Sequence, residues 1–140
     1  MDTYVVDTSI VLKWFNQENE SNVEIAYKIY KDMLDEKIVL IIPSLLVIEL
    51  INALKKGKDT PVATIKKSID DLFSLPLTIT DPTQTVLEQT AEIMNIYQIA
   101  PYDALFVATA KDMNCRVISD DTKAHGKITD GIVIMLKDYK

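Results

Sequence analysis

The segment Tyr4-Val5-Val6-Asp7-Thr8-Ser9 reads as a buried strand that stops abruptly at polar residues. An aromatic residue followed by two β-branched ones suits a sheet position covered on both faces. Asp7, which ends the run, is the only charge between Thr3 and Leu12. Ile10 to Phe15 continue as a short helix or turn. Outward from this segment, β-branched runs keep alternating with helical patterns, the signature of a parallel α/β sheet.

Glu20 to Glu36 predicts a helix, with Val23, Ala26, Tyr27, Tyr30 and Leu34 near 3.6-residue spacing. Val39 to Ile42 predicts a second strand closed by Pro43. Ser44 then serves as N-cap for a helix to Lys56, with Gly57 as its stop. Pro61 opens a helix through Phe73, Pro82 one to about Tyr97, and Pro101 one over Tyr102 to Met113. Leu77 to Ile79, Arg116 to Ile118 and Ile132 to Ile134 supply the remaining strands. No linker, repeat or low-complexity tract interrupts the chain. The expectation is a single domain over 1–140: a three-layer α/β/α sandwich around a mostly parallel sheet of four or five strands.

Composition narrows the function. The 140 residues are 48% apolar and 26% charged, a globular balance. One His and one Cys exclude a disulfide framework and any zinc site built from those residues. No run approaches the roughly 20 apolar residues of a membrane span, and the N-terminus lacks a signal-peptide pattern, so a cytoplasmic protein is expected. Twenty-one acids against 15 bases give a net charge of −6, the wrong sign for a plain phosphate-coating protein. Either nucleic acid is not the partner or bound cations reverse the local sign. Arg116 is the sole arginine, so bidentate guanidinium recognition is nearly absent.

Four carboxylates interrupt sequence that otherwise belongs in a core. Glu49 is the only charge between Val39 and Leu54, and Asp103 the only one between Asn95 and Ala110. Asp7 ends the first strand; Asp120 and Asp121 follow the strand at Arg116. An unpartnered buried carboxylate costs several kcal/mol or becomes neutral. Strand C-termini share one edge of a parallel sheet, and the following helices start there. Glu49, about five residues into its helix, lies on the order of 7 Å from that start. All four acids therefore approach one crevice. No Lys or Arg occupies a comparable place in these runs, which leaves an external cation as compensator. Hard oxygen ligands select Mg²⁺ or Mn²⁺. Mutual repulsion across the crevice predicts that Asp7→Asn leaves the metal-free protein no less stable.

Plainer readings exist for each residue. An Asp after a strand is commonly a helix N-cap, which applies to Asp103 and less strongly to Asp7, whose neighbours Thr8 and Ser9 cap equally well. Asp120-Asp121 alone would be a solvated turn. A mid-helix Glu49 has no capping role. His125 follows Asp121 by one helical turn and is within reach of the site, but an exposed loop is the place expected for it. Cys115 is expected as a small buried residue. Phosphate-cradling glycine loops and the G-x-S-x-G elbow are missing. A phosphoaspartate receiver would want an acidic pair after the first strand, where only Asp7 stands.

Together, Val5-Val6-Asp7-Thr8-Ser9, the Glu49 helix, Tyr102-Asp103-Ala104 and Ile118-Ser119-Asp120-Asp121 resemble the spaced acidic motifs of PIN domains. The resemblance is in particular to VapC-type toxins of toxin–antitoxin pairs, and it runs from Met1 to about Ile134. It implies Mg²⁺- or Mn²⁺-dependent endonucleolytic cleavage of RNA, a homodimer, and a small antitoxin covering the active-site groove. Asp7, Glu49, Asp103 and Asp121 would be the catalytic, metal-binding quartet, with Asp7 and Asp103 the most intimate ligands. Ser9 and Ser119 would be companions that hold water or a carboxylate. The family's hydroxyl-x-Asp pattern makes Asp121 the fourth acid and Asp120 its neighbour, although the adjacent acid leaves the register open. An acidic crevice should attract an inhibitor's Arg or Lys. Lys55, Lys56, Lys58, Lys66 and Lys67 either guide the RNA strand or form a solvated face. Two other classes remain: a PIN-like binding or regulatory module without a toxin role, and a Mg²⁺-dependent phosphatase. The phosphatase normally needs a second acid two residues after its nucleophile, and position 9 is Ser.

Overall fold

The computed structural model describes residues 1–56 and 59–140. Five strands run β1 (Asp2–Val6), β2 (Ile38–Pro43), β3 (Thr78–Thr80), β4 (Arg116–Ser119) and β5 (Val133–Met135). They form one sheet in the order β3-β2-β1-β4-β5, and every neighbouring pair is parallel. The sheet has five strands, at the upper end of the expected range. Its centre is the most apolar part of the chain: Val5, Val6, Leu40, Ile42, Val117 and Ile118 are all fully buried. The short strands β3 and β5 sit at the edges with no fully buried residue, so they need less apolar character.

Six helices connect the strands: α1 (Thr8–Phe15), α2 (Val23–Leu34), α3 (Leu45–Lys56), α4 (Val62–Phe73), α5 (Gln84–Tyr97) and α6 (Pro101–Asp112). The connections from β1 to β2 to β3 carry α1–α4, and the return from β3 to β4 carries α5 and α6; the right-handed rule for parallel crossovers assigns the two sets to opposite faces. The result is a three-layer α/β/α sandwich. Helix α6 lies between α5 and the sheet, contacting β1, β2 and β4. Position accounts for its unbroken buried run from Ala104 to Ala110.

Boundaries shift by a few residues from those expected. The region Ile10 to Phe15 is a helix from Thr8. The helix expected over Glu20 to Glu36 is shorter, because Asn22 takes a left-handed conformation at its start and Asp35 ends it. Thr83 caps α5 through its side chain, so Pro82 lies just outside. Pro61 holds the N-cap position of α4, while Pro101 is the first residue of α6. Gly57, the expected stop of α3, lies outside the described residues, as does Lys58 of the lysine cluster. Lys55 and Lys67 pair with Asp59 and Asp71 one turn on, which fits a solvated face. Cys115 is half-buried rather than buried. Among the described residues no helix is long and apolar enough to cross a membrane.

Candidate active site

Strand order reverses at β1, whose neighbours β2 and β4 lead the chain in opposite directions. A parallel sheet opens a crevice at such a point, beyond the strand C-termini. Asp7 leaves β1 there, its amide donating to the carbonyl of Ile118 at 3.3 Å. Asp121 lies two residues past β4, Asp103 in the first turn of α6, and Glu49 in α3.

Asp7 is 3% exposed and surrounded by donors. Its Oδ1 accepts from the amide and the hydroxyl of Ser9, which makes it the N-cap of α1. Its Oδ2 accepts from the hydroxyl of Ser119 and lies 2.9 Å from Nδ1 of His125. Asp7 is thus a cap and a site residue at once. These bonds argue against the expectation for Asp7→Asn: the carboxylate is held by charge-assisted bonds whose loss should destabilise the metal-free protein.

Asp103 differs. Ala100 is the N-cap of α6 and makes no side-chain cap bond, so the capping reading of Asp103 does not hold. Among the described residues, no side-chain or backbone donor bonds its carboxylate. Burial raises its pKa, and the charges of Asp121 and Asp7 raise it further, against a lowering from His125. Burial likewise raises Glu49, as do the charges of Asp103 and Asp7, although the Thr8 hydroxyl donates to its Oε1 at 2.9 Å. These couplings bring Asp7, Glu49, Asp103 and Asp121 into one electrostatic neighbourhood. Asp121 caps the turn that follows it, its Oδ1 accepting from the amides of Lys123 and Ala124 at 3.1 Å each.

Three features were not expected from the sequence. His125 is 1% exposed, not a loop residue at the surface. Its Nε2 lies 2.9 Å from the backbone oxygen of Asp103, and its Nδ1 lies 2.7 Å from Oγ of Ser119. The Asp103 carbonyl only accepts, so Nε2 carries a proton; Nδ1 faces the Asp7 carboxylate as well as the Ser119 hydroxyl, which favours a proton there too. Burial alone would lower the pKa of this ring, but the bond to Asp7 and its charge, with the Asp103 carbonyl, raise it to about 9. Second, Lys13 is a buried cation beside the site, 3.0 Å from Asp120 and 2.9 Å from Glu20. This chain lysine compensates Asp120 and Glu20 and is paired with none of Asp7, Glu49, Asp103 and Asp121. Third, Thr8 supports Glu49. Only Thr8 had a legible signal, as a hydroxyl directly after Asp7.

The donor set suits a hard divalent cation: all-oxygen ligands with mutual repulsion and an unbonded Asp103 carboxylate. Among the described residues, no three His, Cys, Asp or Glu side chains form a group that could hold a metal ion. Asp7 already accepts from the Ser9 amide and from the hydroxyls of Ser9 and Ser119, with Nδ1 of His125 close by, so Glu49, Asp103 and Asp121 have the freer oxygens.

The model of the PIN domain matches residues 4–128. The chain belongs to the PIN domain family. Solved structures agree on this fold. A toxin–antitoxin complex from Klebsiella pneumoniae is 17% identical with a TM-score of 0.71, the match covering 97% of this chain and 99% of that one. VapBC2 from Rickettsia felis, bound to a promoter DNA fragment, is 19% identical with a TM-score of 0.72, covering 95% and 98%. VapC20 of Mycobacterium tuberculosis, a toxin that cleaves the sarcin–ricin loop, is 14% identical with a TM-score of 0.66, covering 84% and 87%. No curated protein sequence matches the chain. In this chain all four acids follow the C-terminal ends of strands at one edge of the sheet.

Proposed function

We propose that this PIN domain is a divalent-metal-dependent endoribonuclease, the toxin of a VapBC-type toxin–antitoxin pair. What supports the reading is that Asp7, Glu49, Asp103 and Asp121 share one electrostatic neighbourhood beyond the strand C-termini, where no donor among the described residues bonds the Asp103 carboxylate. Its likeness in fold to toxins of such pairs supports the biological role.

Glu49, Asp103 and Asp121 would hold Mg²⁺ or Mn²⁺ through their freer oxygens, with Asp7 at the back of the cluster. The bound ion would supply charge stabilisation on the phosphoryl oxygens and a nucleophilic water near neutral pH. Asp7 orders the cluster, because Ser9 and Ser119 hold both its oxygens. Thr8 orients Glu49. Asp103, whose carboxylate no donor among the described residues bonds, is suited to accept a proton from the attacking water on an oxygen the ion leaves free. The expected partners are an RNA substrate, a cognate antitoxin that presents Arg or Lys to the acids, and a second copy of the chain, and the protein would act in the cytoplasm.

Purified protein incubated with RNA should cleave it only with Mg²⁺ or Mn²⁺, and chelator should stop cleavage reversibly. Asp103→Asn should remove activity while the protein stays folded. Cleavage that persists in excess chelator, or full activity of Asp103→Asn, overturns the reading. Release of phosphate from a generic phosphate ester in place of RNA cleavage would point to a phosphatase instead.

A further inference from the structure

Resting on the metal-dependent reading above, we infer that His125 is a positioning residue that fixes the Asp7 carboxylate through the hydroxyl of Ser119. It thereby joins the ends of β1 and β4 to the first turn of α6. The three groups are among the most enclosed polar residues of the chain: Ser119, His125 and Asp7 are 0%, 1% and 3% exposed.

The argument follows the protons. The backbone oxygen of Asp103 can only accept, so Nε2 of His125 donates to it across 2.9 Å. On the other side of the ring, Nδ1 faces Oγ of Ser119 at 2.7 Å and Oδ2 of Asp7 at 2.9 Å. The same Oγ accepts from the amide of Asp121 at 3.0 Å and donates to Oδ2 of Asp7. A serine hydroxyl has one proton and two lone pairs. With Nδ1–H and the Asp121 amide on its lone pairs, its one proton goes to Asp7. A free hydroxyl rotates; this one has a single arrangement that satisfies all its neighbours. The ring is itself held edge-on to Phe106, centroids 6.1 Å apart at 89°. One side chain therefore sets the Ser119 proton, the Asp7 oxygen and the backbone placement of both Asp103 and Asp121. Outer partners of this kind orient ligands and tune affinity.

The test compares wild type, His125→Leu, His125→Gln and His125→Asn as full-length protein. Glutamine keeps a donor where Nε2 was but has no polar atom at the Nδ1 position; asparagine has one there. In metal-free protein, amide exchange at Ser9 and Asp121 should quicken roughly tenfold in the Leu and Gln variants, as for the loss of one charged hydrogen bond, while β2 amides stay unchanged. Mn²⁺ affinity should fall about 10–100-fold, and RNA cleavage should fall in kcat with KM retained. Asparagine should restore part of each effect, and glutamine reports the loss if leucine prevents folding. Unchanged exchange at Ser9 and Asp121 with unchanged Mn²⁺ affinity overturns the inference. So does uniformly faster exchange across the sheet, which marks an ordinary core residue. If wild type neither binds Mn²⁺ nor cleaves RNA, the nuclease reading fails, and metal-free exchange still decides the role of His125.

Discussion

The side chain of Lys13 lies 3.0 Å from the carboxylate of Asp120 and is itself 4% exposed. Asp120 also accepts from the side-chain amide of Asn22 at 3.3 Å. The adjacent acids therefore face different surroundings: Asp120 is neutralised by the chain, while Asp121 shares the electrostatics of Asp103. Burial would lower the Lys13 pKa, but its bonds to Glu20 and Asp120 raise it instead. The ammonium stays charged.

Removing that ammonium takes a buried cation from between two partly buried acids. Lys13→Met should cost about 3 kcal/mol, at the low end for breaking a buried ion pair because the carboxylates are partly exposed. Urea unfolding of the two proteins measures it. A cost within about 0.5 kcal/mol, as at ordinary surface sites, would show that the pair contributes little.

The same geometry separates Asp120 from Asp121. Asp120→Asn should lower stability and leave Mn²⁺ affinity close to wild type. Asp121→Asn should weaken Mn²⁺ binding, read by calorimetric titration. The opposite pattern would move the fourth acid to Asp120.

Charge removal should act with opposite sign at two other acids. Asp103 and Glu49 are held in mutual repulsion. Asp103→Asn should therefore raise the melting temperature of protein in chelator. Asp7→Asn should lower it, because Ser9, Ser119 and His125 lose a charged acceptor. Wild type should gain about 2.7 kcal/mol at 100 times the metal dissociation constant, and both variants less. Equal metal-induced shifts in Asp103→Asn and wild type would remove Asp103 from the ligands.

Acid should loosen the C-terminus first at Asp32. Its carboxylate accepts from Lys28 at 2.8 Å and from the Tyr139 hydroxyl at 2.7 Å, tying the chain end to α2. The hydrogen bond from Lys28 lowers the Asp32 pKa, helped by Tyr139, against a raising effect of burial. A lowered folded pKa means stability that is present above the unfolded value of about 3.9 and lost as pH falls through the folded one. Asp32→Asn should accordingly be less stable than wild type at pH 7, with the gap closing below about pH 4. Denaturant unfolding across that range tests it; a gap independent of pH would assign the effect to packing alone.

Much of this protein is local in origin. Val5-Val6, Leu40 to Ile42 and Val117-Ile118 declare themselves as buried strands by β-branching, and the prolines at 61, 82 and 101 mark helix starts within two residues. A charge inside an apolar run is equally legible, because burial must be compensated wherever it occurs. So Asp7, Glu49 and Asp103 stood out in the chain itself, and strand direction alone put them at one edge. What compensates each charge depends on contacts between residues far apart in sequence, which no local pattern encodes. Lys13 sits 107 positions from Asp120, and Ser119 is 112 from Asp7. His125 follows a polar turn with the composition of an exposed loop. Only the packing of that turn against α6 and Phe106 buries its ring, and only there do a carbonyl and a carboxylate bracket it.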